Sequence, residues 1–275
     1  MSTQHRIFTG IPLFAKRSLN TREPYTAKRP AARALSQHLI IPEVLRNQQV
    51  FGSCVGQAVG FAVSRADFVA SGPFLWIEGR RVDLDLSGVD EGTTFESVFS
   101  VLENTGAAPY DPRENDPTQE NWDRARLGPH LVATMAAADH KAELKVTAID
   151  PKAHNAFELV CDAIASRARV VFSSGLRDAF FDLAAGEIAT PWHLGSEDNG
   201  HAQAFCGFDR RAGELFALNS WGCFAGLHLP KETWTYPAAW HGVRERRDVW
   251  ELPGAYRMTA STLAELWDIY VVEVT

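Results

Sequence analysis

Residues 47–63 read NQQVFGSCVGQAVGFAV, and from Cys54 onward the stretch has a single period. Val55, Ala58, Val59, Ala62, Val63, Ala66 and Val69 recur at steps of three and four, which is one apolar stripe on a helix. The pattern predicts a helix over Cys54 to Ala70, with Ser53 at the N-cap and Gly72-Pro73 as the stop signal. Gly56 and Gly60 cost helix propensity, so they imply a close approach by another backbone and a central, buried helix. A thiol on the first turn of such a helix sits at the positive end of the macrodipole and loses its proton more readily.

Outward from this helix, the chain has 275 residues, enough for two lobes at ~150 residues per domain. With 45% hydrophobic and 22% charged residues it reads as globular rather than disordered. Twenty-seven basic against thirty-four acidic residues leave a net charge of −7, which gives the whole molecule no electrostatic reason to seek nucleic acid. No apolar run approaches ~18 residues, so no membrane span is expected, and the polar start lacks the apolar core of a secretory signal. The four cysteines (Cys54, Cys161, Cys206, Cys223) show no CxxC spacing, which argues against a disulfide or zinc framework and for a reducing, cytoplasmic setting. No metal or cofactor is implied, because His193 and His228 with Glu197 or Asp198 lack ligand spacing and no phosphate-binding glycine loop occurs.

Three segments follow. Residues 1–40 form a basic arm in which Lys16, Arg17, Arg22, Lys28, Arg29 and Arg33 face only Glu23, and Pro12, Pro24 and Pro30 deny regular structure. It reads as a strap over the body, with an inhibitory segment or a docking arm for a protein partner as the sharper alternatives. Residues 41–126 form a helical part with a second helix at Phe95 to Asn104, closed by Gly106. Between these helices, Asp83/Asp85 and Asp90/Glu91 fall in a polar loop and read as solvated. The polar run Tyr110 to Arg126, with Pro112 and Pro117, marks the boundary. Residues 127–275 are β-rich: strands at Leu144–Ile149, Val170–Ser173, His201–Phe208, Glu214–Ser220 and Trp267–Val274, with one helix across Ala153 to Ile164. Helices first and antiparallel strands second indicate an α+β fold. Cys161, Cys206 and Cys223 read as core or near-core thiols.

The strands His201–Phe208 and Glu214–Ser220 flank the turn-like Asp209-Arg210-Arg211-Ala212-Gly213. A turn centred near Arg210 sets His201 opposite Asn219, with Cβ atoms roughly 4.5–5.5 Å apart. A carboxamide oxygen on one imidazole nitrogen fixes the tautomer and aims the other nitrogen at a partner. Cys54 is the partner this chemistry needs, since an imidazole beside a thiol produces a nucleophile near neutral pH. The Cys54 N–H at the helix start can receive an oxyanion, and Gln48, six residues earlier, can add a second donor.

Asn47-Gln48 with Gly52-Ser53-Cys54, then Gly200-His201-Ala202, then Asn219-Ser220-Trp221-Gly222 resemble the papain-like cysteine peptidases in order, in the Gln-to-Cys interval and in the local strings. The resemblance runs from about Ile41 to the C-terminus. It implies two lobes, one helical and one an antiparallel barrel, with the cleft between them. It implies Cys54 as nucleophile, His201 as general base and acid, Asn219 as its orienting partner, and Gln48 with the Cys54 N–H as the oxyanion hole. Trp221 would shield the His201–Asn219 bond, and Gly92, in Glu91-Gly92-Thr93, would pair with the substrate backbone. Phe51 and Val55 depart from secreted members, which carry a cysteine and an aromatic there, and look like disulfide-free bacterial or phage-type members. Only about fifty residues precede Cys54, too few for the usual pro-domain. The implied activity is hydrolysis of peptides or proteins through an acyl-enzyme. The alternatives are deamidation or acyl transfer on the same scaffold, and a non-catalytic binding component of a phage or bacterial assembly.

Overall fold

The structure, a computed structural model, describes residues 22–27, 35–48, 51–83, 92–112, 137, 139–141 and 143–274. Three helices precede a large sheet: α1 (Cys54–Val63), α2 (Gly72–Val82) and α3 (Phe95–Asn104). α1 packs on α2 and on the sheet, and all ten of its residues are buried. This is the central helix that the two glycines imply. A Cβ on Gly56 would collide with the Gly72 carbonyl and lie 2.8 Å from the Trp76 nitrogen, so α1 and α2 touch backbone to backbone there. Gly60 has a different neighbour. A Cβ on it would lie 2.9 Å from the buried Arg46 guanidinium, which donates to Gln57 Oε1, Ser64 Oγ and the Ala70 carbonyl.

Two helix expectations need correction. α1 ends at Val63 rather than Ala70, because the Ser64 hydroxyl donates to the Gly60 carbonyl and accepts from the Ala70 N–H, turning the chain out of the helix. Gly72-Pro73 then starts a helix instead of stopping one: Ser71 Oγ caps the Phe74 N–H at 3.1 Å, and proline suits the first turn, where no N–H partner is required. Ser53 occupies the N-cap position of α1, but its hydroxyl makes no capping bond and is buried without a partner among the described residues.

The sheet contains β1 (Gln37–Leu39), β2 (Leu144–Ile149), β3 (Arg169–Gly175), β4 (Ile188–Ala189), β5 (Gly200–Asp209), β6 (Glu214–Leu218), β10 (Ala255–Thr259) and β11 (Leu266–Val274), in the order β2-β11-β3-β5-β6-β10-β4. The helices α4 (Ala156–Ala165) and α5 (Asp178–Phe181) flank β3 in sequence. A separate three-stranded sheet joins β7 (Leu227–Pro230), β8 (Arg244–Glu245) and β9 (Val249–Leu252), where Arg244 and Arg246 both donate to the buried Glu251. The arm is not wholly irregular. β1 pairs with β5 at Asp209 to Gly207, beyond the last β3 pair at Phe205, and Glu23 to Tyr25 bond to Ala148. Arg22 does not face only Glu23 but pairs with Glu96 of α3 at 2.7 Å; the remaining arm residues singled out above, and most of the boundary run 110–126, lie outside the described residues.

Alternation along the sheet separates two cores. Ala202 and Ala204 of β5 and Tyr270 and Val272 of β11 face α1 and α3, together with Cys54, Val55, Ala58, Phe95 and Phe99. Phe205, Ile269 and Val271 face the opposite side with Val160, Ile164, Phe180 and Trp221. Period two in the strands and a helix stripe on one face thus meet across a single sheet. Cys161 and Cys206 are buried as expected; Cys223 is exposed, because it falls two residues past Trp221 in a turn outside the strand.

Candidate active site

Two of the three residues meet at one end of β5, and the helix that Cys54 opens packs on the same strand. Cys54 opens α1; His201 is the second residue of β5, paired through β3 with Ser174; Asn219 follows the last residue of β6. The hairpin register differs from the expected one. Ala204 pairs with Leu218, and a bulge between Phe205 and Gly207 shifts the pairs nearer the turn. One step further, Asn219 falls opposite Gln203 and diagonal to His201. The bond still forms, at 2.9 Å between His201 Nε2 and Asn219 Oδ1.

Its polarity follows from a neighbour. The Ser220 N–H, which can only donate, reaches the same Asn219 oxygen at 2.7 Å. The carboxamide therefore turns its oxygen to His201, and Nε2 must carry the proton. Nδ1 is then the basic nitrogen of the neutral ring, and it is buried without a hydrogen-bond partner among the described residues. Burial pushes the His201 imidazole down to about 4, against the Asn219 bond, which favours the charged form. Buried in this way, the ring is neutral at pH 7 and equipped to accept a proton at Nδ1.

Trp221 covers the pair. Its indole stacks on His201 with centroids 4.6 Å apart, Phe181 of α5 stacks on the indole at 5.6 Å, and Phe180 and Phe224 meet it edge-on at 5.9 and 5.0 Å. The three phenylalanines were not singled out in the sequence. Phe180-Phe181 follows a strand and precedes a turn, and nothing local separates it from ordinary core.

Gln48 is fixed from three directions. Its N–H donates to the Ser220 carbonyl (2.7 Å), its Oε1 accepts from the Ser220 hydroxyl (2.6 Å), and its Nε2 donates to the Phe51 carbonyl (2.9 Å). Asn47 bridges to Trp221 and the Gly222 N–H reaches the Arg46 carbonyl, so residues 46–48 and 220–222 run as a short antiparallel zipper. A carboxamide nitrogen has two hydrogens, and one remains after Phe51. Ser220 therefore joins the candidate site through its bonds to Gln48 and Asn219, a residue that sequence reasoning quoted in a motif without giving it a part.

Cys54 and Ala202, the neighbour of His201, belong to one packed cluster, and the thiol and the imidazole both have 0% exposure. Gly92 is buried ahead of Thr93, whose hydroxyl donates to Asp83 (2.7 Å), and the Ser97 hydroxyl donates to the other oxygen of the same carboxylate. Asp83 thus holds the Gly92 segment and the first turn of α3 instead of being merely solvated; Asp85, Asp90 and Glu91 lie outside the described residues. Among the described residues no group of three or more His, Cys, Asp or Glu is placed to hold a metal, and no helix is long and apolar enough to cross a membrane. His228 instead lies 3.6 Å from Glu251, and His193 bonds Thr190.

No sequence-family model matches the chain, and no curated protein matches it by sequence. Solved structures do match by shape. Xylellain, a cysteine protease from Xylella fastidiosa, superposes with a TM-score of 0.69 over 97% of this chain and 96% of its own, at 16% identity. Digestive procathepsin L2 proteinase from Tenebrio molitor larval midgut gives 0.62 over 98% and 80% at 12% identity. Procathepsin B S9 from Trypanosoma congolense gives 0.62 over 98% and 89% at 10% identity.

Proposed function

We propose that this chain, which has the α+β, two-lobe papain-like fold, is a cysteine-type peptidase acting on peptides or proteins, with Cys54, His201 and Asn219 as its triad. The observation that carries this reading is the His201 Nε2–Asn219 Oδ1 bond of 2.9 Å, with its polarity set by the Ser220 N–H. It leaves Nδ1 as the base, on a strand that packs against α1.

His201 Nδ1 takes the Cys54 proton, and the thiolate attacks the scissile carbonyl. The tetrahedral oxyanion is received by the Cys54 N–H at the helix start and by the second Nε2 hydrogen of Gln48. The imidazolium gives its proton to the leaving amine, and the acyl-enzyme forms. His201 then activates water, and thioester hydrolysis restores the thiol. Gly92, on its Asp83-anchored segment, is proposed to pair with the substrate backbone. Because thiol and imidazole are both buried, substrate entry requires this site to open.

The test is incubation of peptide libraries with the wild type and Cys54→Ala. New chain termini from the wild type and none from the variant, with thermal stability nearly unchanged, support the reading. Full activity in Cys54→Ala overturns it. Release of ammonia, or transfer to added amines without chain cleavage, would assign the same thiol to deamidation or acyl transfer instead.

A further inference from the structure

Behind the His201–Asn219 pair lies a third polar side chain that the proposed chemistry leaves without a part. Gln203 is 1% exposed and sits two residues along β5 from His201, on the same face of the strand. It is paired across β3 with Phe172, and the β5–β6 register, continued by one step from Ala204–Leu218, sets it opposite Asn219. Directly opposed residues on one face bring their Cβ atoms to roughly 4.5–5.5 Å. The far end of Gln203 is tied down: the buried Tyr256 hydroxyl lies 2.9 Å from Oε1. Tyr256 in turn meets Phe180 edge-on at 5.3 Å, and Phe180 meets Trp221, so the tyrosine also belongs to the aromatic wall around His201.

Two donors are left over. Gln203 Nε2 and Asn219 Nδ2 are each buried with no acceptor among the described residues. Buried amide groups are nearly always bonded, and leaving one unmade is costly. Two orphaned donors on opposed carboxamides are the signature of an amide turned the wrong way round, since O and N of glutamine are assigned from the network rather than seen. A phenol hydroxyl can accept as well as donate. Rotating the Gln203 amide lets Nε2–H donate to Tyr256 Oη and offers Oε1 to Asn219 Nδ2–H. Both orphaned nitrogens then find partners, while the Tyr256 hydroxyl hydrogen gives up its acceptor in exchange. Asn219 cannot rotate in their place, because the Ser220 N–H fixes its oxygen.

We infer that Gln203, anchored by Tyr256, is a positioning residue that holds Asn219 from behind by accepting its Nδ2–H. Resting on the peptidase reading, this makes the imidazole orientation depend on a four-residue chain, Tyr256–Gln203–Asn219–His201. Asn219 then has both ends of its carboxamide committed, the oxygen to Ser220 and His201 and the nitrogen to Gln203. Losing Gln203 frees the amide to rock and loosens the Nε2 bond without touching substrate.

The test uses Gln203→Met, which keeps the volume and removes the amide, with Tyr256→Phe as the second variant. Active sites are counted by a thiol-directed epoxide so that unfolded molecules are excluded. The expected result is a kcat lower by about 2- to 10-fold in Gln203→Met, with KM unchanged. Tyr256→Phe should fall in the same direction by less. On the resting full-length protein, nitrogen-resolved NMR of the His201 ring should show the Nε2–H proton exchanging with water about 2- to 10-fold faster in Gln203→Met. That readout needs no turnover, so it stands even if no peptide is cleaved, and failure of the peptidase reading is told apart from failure of this one. Unchanged kcat per titrated site together with unchanged Nε2–H exchange would overturn the inference, leaving Gln203 as packing alone. So would a crystal structure in which Asn219 Nδ2 donates to some group other than Gln203.

Discussion

The Ser220 hydroxyl donates to Gln48 Oε1 at 2.6 Å across a sequence separation of 172 residues. With the Gln48 N–H on the Ser220 carbonyl, it ties the loop leading into Cys54 to the residue that follows Asn219. The same two residues thus register the helical side of the site against the β-rich side. Short, buried, paired contacts of this kind resist separation because breaking either leaves a desolvated polar group behind.

Gln48→Ala should lower kcat by about 10²–10³, the effect of losing one oxyanion donor, and should change KM little. Steady-state kinetics on a chromogenic peptide reads this. A fall confined to KM would place Gln48 in substrate binding instead.

The imidazole supplies a pH test of the fold. His201 titrates near 4 in the folded chain against an ordinary 6.5, so between those values the unfolded chain binds more protons. Stability therefore rises with pH through that window, and acidification from pH 6.5 to 4 removes up to about 3 kcal/mol attributable to this one ring. Urea unfolding midpoints of the wild type and His201→Gln at intervals over this range check it. The wild type should lose more stability than the variant; parallel curves would show that the ring is not held neutral.

Gly56→Ala should destabilise strongly, by about 1–3 kcal/mol or more, because its methyl meets the Gly72 carbonyl and the Trp76 backbone, neither of which can step aside cheaply. Gly60→Ala meets a guanidinium side chain, so its cost should be smaller. Thermal unfolding of the two variants separates them, and equal effects would contradict the backbone contact at Gly56.

The strongest periodic segments were legible in the sequence. α3 matches its expected limits, Phe95 to Asn104, and β2 its expected Leu144 to Ile149, because each carries a clean period and clear end signals. The limit of α1 was not legible, since Ala66 and Val69 continue the stripe while Ser64 diverts the backbone through side-chain bonds that propensity does not see. Gly72-Pro73 was misread because the same dipeptide suits a helix end and a helix start, and only the Ser71 cap decides. His201 and Asn219 were paired correctly from the wrong register. The turn centres between Arg211 and Ala212 rather than near Arg210, the bulge at Phe205/Gly207 recovers one residue so that Asn219 falls opposite Gln203, and carboxamide reach makes up the diagonal. Phe181 and Tyr256 reach the site through tertiary packing alone, and no local pattern marks them.

The most direct test of the account is covalent mapping with a peptidyl epoxide. The protein is reacted until hydrolysis stops, digested, and its four cysteines are quantified by mass spectrometry. The account predicts one adduct per chain, on Cys54, formed in step with the loss of activity and strongly slowed by His201→Ala, while exposed Cys223 stays largely unmodified. Modification of Cys223 in preference to Cys54, or undiminished hydrolysis with Cys54 fully alkylated, would contradict it.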